Sequence, residues 1–148
     1  MADKYLNPSS RNGWPLLAVI TGLVAGLGWQ APAAPTQAQV AYRFFTELLR
    51  ADYPAAYQRL APEVRATLPQ AAFTSAARPL RQLGKQRGRA IELYTFGTHL
   101  SERGGSEPWF YRFSFAKDSL QKPPPLLLEV TFRDTTTRQV LGFRVRNR

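Results

Sequence analysis

Few residues in this chain have the type and spacing that catalysis requires. His99 is the only histidine, and Glu92 lies seven residues before it. A histidine that acts as a general base needs a carboxylate partner and a pocket, but on a regular strand two residues seven apart face opposite sides. We therefore assign no catalytic residue. Glu92 and His99 are the groups that could supply acid–base chemistry if their strand departed from regular alternation.

Other common chemical sites are also missing from the sequence. The chain contains no cysteine, which excludes disulfides, thiolate metal ligands and cysteine nucleophiles. One histidine without clustered carboxylates predicts no metal site. Neither a glycine-rich phosphate loop nor a serine in a nucleophile elbow occurs. We expect no metal and no cofactor.

The chain is strongly basic, with 20 Lys and Arg against 10 Asp and Glu and a formal charge of +10. Two groups of cations stand out in the sequence: Arg78, Arg81, Lys85, Arg87 and Arg89, and then Arg144, Arg146 and Arg148. We interpret them as solvated surface, with a weak attraction to anionic membranes as the second interpretation. Nucleic-acid binding is the poorest of the three, and we predict no nucleic-acid partner.

The N-terminal segment has the features of a targeting signal. Lys4 and Arg11 precede the uncharged run Trp14–Trp29, and the small residues of 31–34 follow. A basic start, an apolar centre and an A-x-A-like exit are the parts of a secretory signal. The run is slightly long for a signal core and slightly short for a spanning helix, which needs about 20 residues. Both a cleaved signal peptide and an uncleaved membrane anchor remain open.

The distribution of positive charge predicts which side of the membrane the rest of the chain occupies. After Arg11 the next positive charge is Arg43, so the positive-inside rule puts the N-terminus in the cytoplasm and the domain outside. We expect an exported protein, either membrane-anchored or periplasmic or extracellular. Residues 1–34 would be the signal or anchor with its linker, and residues 35–148 the domain.

The stretch Thr36–Leu60 predicts two helices around which the domain is organised. Thr36 followed by Gln39 forms the pattern of a capping box, and apolar residues then recur at helical spacing. Asp52 is a second N-cap, with a proline in the following first turn. A further helix should begin near Pro69.

Pro79 should kink or divide that later helix, and Gly84 should end it. After residue 88 the pattern changes to alternation, which is typical of strands. Four runs show it: Ala90–Leu100, Trp109–Ala116, Leu126–Arg133 and 141–146. Short connections predict an antiparallel meander with one buried and one wetter face. The fold class is therefore α+β, with N-terminal helices covering one face of a four-stranded antiparallel sheet.

The phrase FFTELLRADYPAAYQRLAPEVRATLPQAAF, with the strands that follow it, resembles the nuclear transport factor 2-like superfamily. The likeness extends from about Pro35 to Arg148. It is carried by the helix from Pro69, the segment Ala61–Arg65 and the residues Phe44, Leu48, Asp52, Tyr53, Ala56 and Tyr57. The resemblance implies helices packed on a strongly curved sheet, which form a cone with an internal pocket. Its members range from isomerases and dehydratases to non-catalytic modules. The Asp base and the Tyr and Asp oxyanion donors of ketosteroid-isomerase-like members have no residue-by-residue match here.

The inward rows of the predicted strands contain aromatic and aliphatic residues but no carboxylate or histidine. We expect a pocket lined by Phe45, Tyr57, Trp109, Tyr111 and Phe143. An apolar ligand needs only area and one or two orienting hydroxyls. The sequence thus favours an exported or membrane-anchored, non-enzymatic binding or interaction module with an apolar pocket. The alternative is a small-molecule enzyme, isomerase- or hydrolase-like, that acts in the cone.

The partners that this interpretation implies are a small apolar ligand or a protein. The N-terminal segment would contact the membrane, and the sheet is a candidate surface for a homodimer.

Overall fold

The computed structural model describes residues 33–98 and 108–147, and the described residues from Ala34 onward belong to one compact unit. The elements are α1 Gln37–Arg50, α2 Tyr53–Gln58, α3 Pro62–Thr67, α4 Gln70–Arg87, β1 Ile91–Thr98, β2 Trp109–Phe115, β3 Leu126–Phe132 and β4 Val140–Asn147. The predicted α+β order, helices before strands, is confirmed. The hydrophobic segment Trp14–Trp29 and His99 lie outside the described residues.

Both predicted helix caps are present. The Thr36 hydroxyl accepts a hydrogen bond from the Gln39 N–H at 3.2 Å, and the Gln39 side-chain oxygen accepts one from the Thr36 N–H at 2.9 Å. Asp52 accepts a hydrogen bond from the Ala55 N–H at 3.3 Å and begins α2. Between the two helices Ala51 takes the left-handed conformation with φ 65°. These local signals fix where the helical layer turns.

Helix α4 is longer than the sequence predicted. It continues through Pro79 to Arg87, so the predicted division at Pro79 and the predicted end at Gly84 are both wrong. Gly84 is buried where α4 crosses α1: a Cβ at this position would lie 3.2 Å from Leu49 Cδ2 and 3.3 Å from the Leu49 carbonyl oxygen. The glycine is used for close helix packing, and the helix ends at Gly88, where φ is 91°.

The four strands form one antiparallel sheet in the order β1-β2-β3-β4, which confirms the predicted meander. Strand β1 contains an irregularity: Leu93 pairs with Phe113 and Thr95 with Arg112, so Tyr94 is left out of the register as a bulge. Because a bulge inserts one extra residue, the alternation of side chains reverses beyond it.

The helices cover one face of the sheet, and the core lies between the two layers. The largest fully buried aromatic side chains are Phe44, Phe45, Phe73, Phe113, Phe115 and Phe132. The last strand is tied to the helical layer by its backbone. The Ala61 N–H donates to the Val140 carbonyl at 2.8 Å, and the Val140 N–H donates to the Arg59 carbonyl at 2.9 Å.

Within residues 33–98 and 108–147, no helix has both the length and the apolar character that crossing a bilayer requires.

Candidate binding surface

The aromatic residues predicted to line a pocket fall into two groups. Phe45 is fully buried between Phe44 and Phe113, with ring centroids 5.6 and 5.8 Å away. Phe143 lies 5.5 Å from Phe44 and 5.8 Å from Phe73, and Tyr57 lies 5.5 Å from Phe73. Their rings pack against one another under α1, so their apolar area contributes to the core. Ligand binding by Phe45, Tyr57 and Phe143 stays a prediction.

The Tyr57 hydroxyl makes its contacts within the helical layer. It lies 2.7 Å from the Leu68 carbonyl oxygen and 3.3 Å from that of Arg65. These carbonyls belong to the end of α3, where helical oxygens lack intrahelical partners. The hydroxyl therefore caps α3.

Trp109 and Tyr111 belong to the second group, which surrounds an exposed ring. The Phe96 ring is stacked on Tyr111 with centroids 5.8 Å apart, and it lies 6.0 Å from Trp109. Tyr111 also meets Phe132 edge-on at 5.8 Å. Phe96 itself is 57% exposed. A large ring is thus held in place by its neighbours while much of its surface faces solvent.

A cleft opens between α1 and the sheet edge formed by β1. Its volume is about 260 Å³, and it is lined by Ala38, Gln39, Tyr42, Arg43, Ile91, Leu93 and Phe113. The lining is almost entirely apolar, and Arg43 is the charged residue in it. Ligand pockets for drug-sized molecules usually hold roughly 300–1,000 Å³, so this cleft suits one or two apolar side chains better than a substrate.

Exposed apolar side chains continue from this cleft along β1. Tyr42 and Leu93 line the cleft, and Tyr94 and Phe96 follow on the strand; all four are between 44% and 57% exposed. We call these four residues the β1 surface. Because the bulge at Tyr94 reverses the alternation, Leu93 and Phe96 both face the helix side, opposite Phe113 and Tyr111. In a regular strand two residues three apart would face opposite sides.

Two other clefts lie elsewhere on the domain. One, of about 500 Å³, lies between α4 and the strands and is lined by Pro79, Gln82, Leu83, Leu126, Val145 and Asn147. The other holds about 120 Å³ beside α3, where Glu63 and Arg133 form an ion pair across it. The lining of the first cleft is largely apolar, whereas that of the second mixes polar and apolar groups.

The face of the sheet away from the helices, expected to be the wetter one, buries a carboxylate. Glu129 is fully buried and accepts hydrogen bonds from the Nε atoms of Arg112 and Arg144, each at 2.5 Å. Arg146 Nη1 donates to it at 3.1 Å. Register places Arg112, Glu129 and Arg144 directly opposite one another on three strands. Complementary charge across strands was the sequence signal that could have found this cluster, once the strands were aligned.

The cluster controls the charge state of Glu129. Burial by itself raises the pKa of this carboxyl, but the hydrogen bonds and charges of Arg112 and Arg144 outweigh it and hold the pKa below its usual value. Glu129 is therefore ionised and fully engaged with cations. Such a group stabilises the sheet and is a poor general base.

Glu92, one of the two residues that could supply acid–base chemistry, pairs with Ser114 on the outer face and is exposed. It precedes the bulge, so the irregularity of β1 does not turn it toward the helices. Among the described residues, no three His, Cys, Asp or Glu side chains are grouped so that they could hold a metal ion.

Comparison of this chain with protein-family models, with curated proteins and with solved structures found no match.

Proposed function

We propose that this domain is a non-catalytic interaction module, exported or held at a membrane, that binds an apolar segment of a partner protein along the β1 surface. The observation that carries the proposal is the β1 surface itself. Leu93 and Phe96 expose apolar side chains on the helix side of an edge strand, next to an apolar cleft that Tyr42 also lines. Contiguous apolar exposure of this kind marks interaction sites, whereas single exposed apolar residues are ordinary.

The chemistry of the cleft supports an apolar peptide with an acidic residue as the occupant. The cleft has room for one or two side chains, and Arg43 at its wall would pair with a carboxylate. The bulge at Tyr94 interrupts the row of backbone groups at the sheet edge, so side chains in the cleft would contribute more than a continuous β-ladder. Phe96, fixed against Tyr111, would bind with little loss of side-chain entropy.

The positions of the acidic groups support a non-catalytic role over the small-molecule enzyme. In the part of the chain that the structure describes, Glu129 and Glu63 are bound to arginines, and the cleft beside β1 has no carboxylate in its wall. General acid–base catalysis needs a titratable group within hydrogen-bond reach of the substrate. The two interpretations differ in what Glu92 and His99 do. If a bound molecule were converted by wild type but not by a Glu92→Gln, His99→Gln variant, the enzyme alternative would replace this proposal.

The peptide interaction can be tested with a displayed library of random peptides selected on the immobilised full chain. We expect enrichment of apolar peptides that contain Asp or Glu. Leu93→Lys should weaken their binding about tenfold or more, because burying a leucine side chain contributes roughly 1.5–3 kcal/mol. Arg43→Gln should weaken it by up to about fivefold, as expected of an exposed ion pair.

The matched control is Ala71→Lys, which adds the same charge at an exposed position of α4. It should bind like wild type. Equal binding of the selected peptides to wild type and to Leu93→Lys would contradict the proposal. A wild-type dimer that Leu93→Lys dissociates would show that the occupant is a second copy, and the partner-protein proposal would then be wrong.

The fold family and the location belong to the same proposal. The order of helices and strands supports nuclear transport factor 2-like membership. A crystal structure should show a strongly curved sheet, and a flat sheet would contradict this membership. The basic start and apolar centre before residue 30 support export. An enzymatic reporter that needs an exported environment, fused after Arg148, should be active, and activity of a cytoplasm-only reporter would contradict export.

A further inference from the structure

One end of the sheet brings together cations, an exposed leucine and an apolar cleft. The antiparallel register puts Ile91 opposite Phe115 and Leu126 opposite Asn147, so the connection between β2 and β3 lies at the same end as the start of β1. The end of α4 lies there too, because Arg87 forms a 2.6 Å ion pair with Asp118 of that connection. We call this region, residues 85–92 and 116–126, the basic end.

The charges at the basic end are mostly positive. Helix α4 and its continuation contribute Lys85, Arg87 and Arg89, and the connection contributes Lys117 and Lys122. No Asp or Glu occurs from residue 70 to residue 91. The acidic groups nearby are Asp118, which is buried and bound to Arg87, and Glu92 on the outer face of β1. Apart from Arg87, these cations are exposed and form no ion pair with another described residue.

Leu120 projects from this region between the two lysines of the connection. It is 94% exposed, more than any other large hydrophobic residue that the structure describes. The segment that carries it is folded: the Ser119 N–H donates to the Ala116 carbonyl at 3.2 Å and the Gln121 N–H to the Asp118 carbonyl at 3.0 Å. An apolar side chain is thus presented on an ordered turn and flanked by positive charge.

The cleft between α4 and the strands opens at the same end. Leu126, which begins β3 directly after the connection, lines it together with Pro79, Leu83 and Val145. Its volume of about 500 Å³ is large enough for part of an acyl chain. Apolar volume beside surplus cations fits a molecule with an anionic head and an apolar tail.

We propose that the basic end docks on an anionic lipid surface. Leu120 inserts among the acyl chains, and the exposed lysines and Arg89 bind lipid phosphates. The cleft between α4 and the strands takes up part of an acyl chain. A soluble anion or a nucleic acid would be attracted by the cations but would leave Leu120 exposed. An anionic membrane satisfies the charges and the leucine together.

Helix α1 begins at the opposite end of the sheet, where the Gln37 side-chain amide donates to the Asp134 carbonyl at 2.8 Å. The labelled cysteine and the charge variants of the test lie at positions 117, 120 and 122, outside the β1 surface and its cleft, so either proposal can fail without the other.

The test uses the full chain with a single engineered cysteine, which is unique because the chain has none. Leu120→Cys carries an environment-sensitive fluorophore, and the matched control is Thr135→Cys in the exposed β3–β4 connection at the other end. Each labelled chain is mixed with phosphatidylcholine vesicles with or without phosphatidylglycerol. We expect a blue shift at position 120 with phosphatidylglycerol, none with phosphatidylcholine alone, and none at position 135.

Charge variants of the chain labelled at position 120 measure the electrostatic part. The double variant Lys117→Gln, Lys122→Gln should lower the affinity for phosphatidylglycerol vesicles about 25-fold, because each basic residue near an anionic surface contributes about fivefold. Added salt should weaken it further. Because the probe reports insertion at position 120, binding through the N-terminal segment alone would leave it unshifted and would overturn the proposal. Equal shifts at positions 120 and 135, or the same shift with soluble polyglutamate, would also overturn it.

Discussion

Replacement of Glu129 by Gln removes the negative charge on which three arginines of the outer sheet face converge. Glu129 is fully buried, and two of its hydrogen bonds from Arg112 and Arg144 are 2.5 Å long. A hydrogen bond to a charged group contributes roughly 1.5–3 kcal/mol, and breaking a buried ion pair costs about 3–5 kcal/mol. Because Arg144 and Arg146 are 55% and 42% exposed, water compensates part of the loss. We expect the free energy of unfolding to fall by about 2–4 kcal/mol.

The assay is chemical and thermal unfolding of the wild type and the variant at neutral pH. For a domain of this size each kcal/mol shifts the melting temperature by about 4 °C, so the variant should melt about 8–16 °C lower. Glu92→Gln is the matched control, since it makes the same change on the same face at an exposed residue. It should stay within about 0.5 kcal/mol of wild type. An effect of Glu129→Gln no larger than that of the control would refute the reasoning.

The pH dependence gives a second check of the same cluster. The pKa of Glu129 is lower in the folded chain than its ordinary 4.5, so the unfolded state binds the proton more readily. The contribution is therefore fully present above about pH 4.5 and is lost as the pH falls through the folded-state pKa. The stability difference between wild type and Glu129→Gln should narrow in acid. A difference that stays constant from neutral to strongly acidic pH would contradict this assignment.

Three further substitutions test how the helical layer is built. Gly84→Val should destabilise the domain by about 1–3 kcal/mol in urea unfolding, because its Cβ would be 3.2 Å from Leu49 Cδ2. Unchanged stability would show that α1 and α4 can move apart. Ala51→Gly should raise the melting temperature by a few degrees, because φ is 65° at this position and a left-handed alanine costs roughly 1–2 kcal/mol. The greater conformational entropy of glycine in the unfolded state offsets part of this gain. A lower melting temperature would show that Ala51 is not strained. Tyr57→Phe should lower the free energy of unfolding by about 1 kcal/mol, because it removes the 2.7 Å hydrogen bond to the Leu68 carbonyl. Loss of peptide binding at unchanged stability would instead indicate that this hydroxyl contacts the ligand.

The features that could be predicted from the sequence are those that depend on neighbouring residues. The capping box of Thr36 and the N-cap of Asp52 involve partners only three positions away, and both occur as expected. The order of helices and strands follows from periodicity, which is also local. The prediction that Pro79 divides the helix is wrong, because α4 continues through it to Arg87, and Gly84 serves the packing of α4 on α1 and does not end the helix.

The candidate binding surface depends on contacts that local patterns do not encode. Regular alternation puts Leu93 and Phe96 on opposite faces, and only the bulge at Tyr94 brings them to one side. Alternation correctly places Glu129 on the outer face of the sheet. The burial of Glu129 follows from the register that aligns it with Arg112 and Arg144. Register between distant strands is fixed by the whole sheet, and one sequence without a known pairing leaves it open.

The contacts between α1 and the last hairpin have a consequence for the time at which the chain can fold during synthesis. The Gln37 side-chain amide donates to the Asp134 and Thr137 carbonyls, which are 97 and 100 residues further along. Phe143, still later, lies 5.5 Å from Phe44. A ribosome makes α1 long before these partners exist, so the part of its apolar face that Phe143 covers stays exposed until β4 has emerged. The order of synthesis thereby prolongs the interval in which chaperones can bind the unfolded chain.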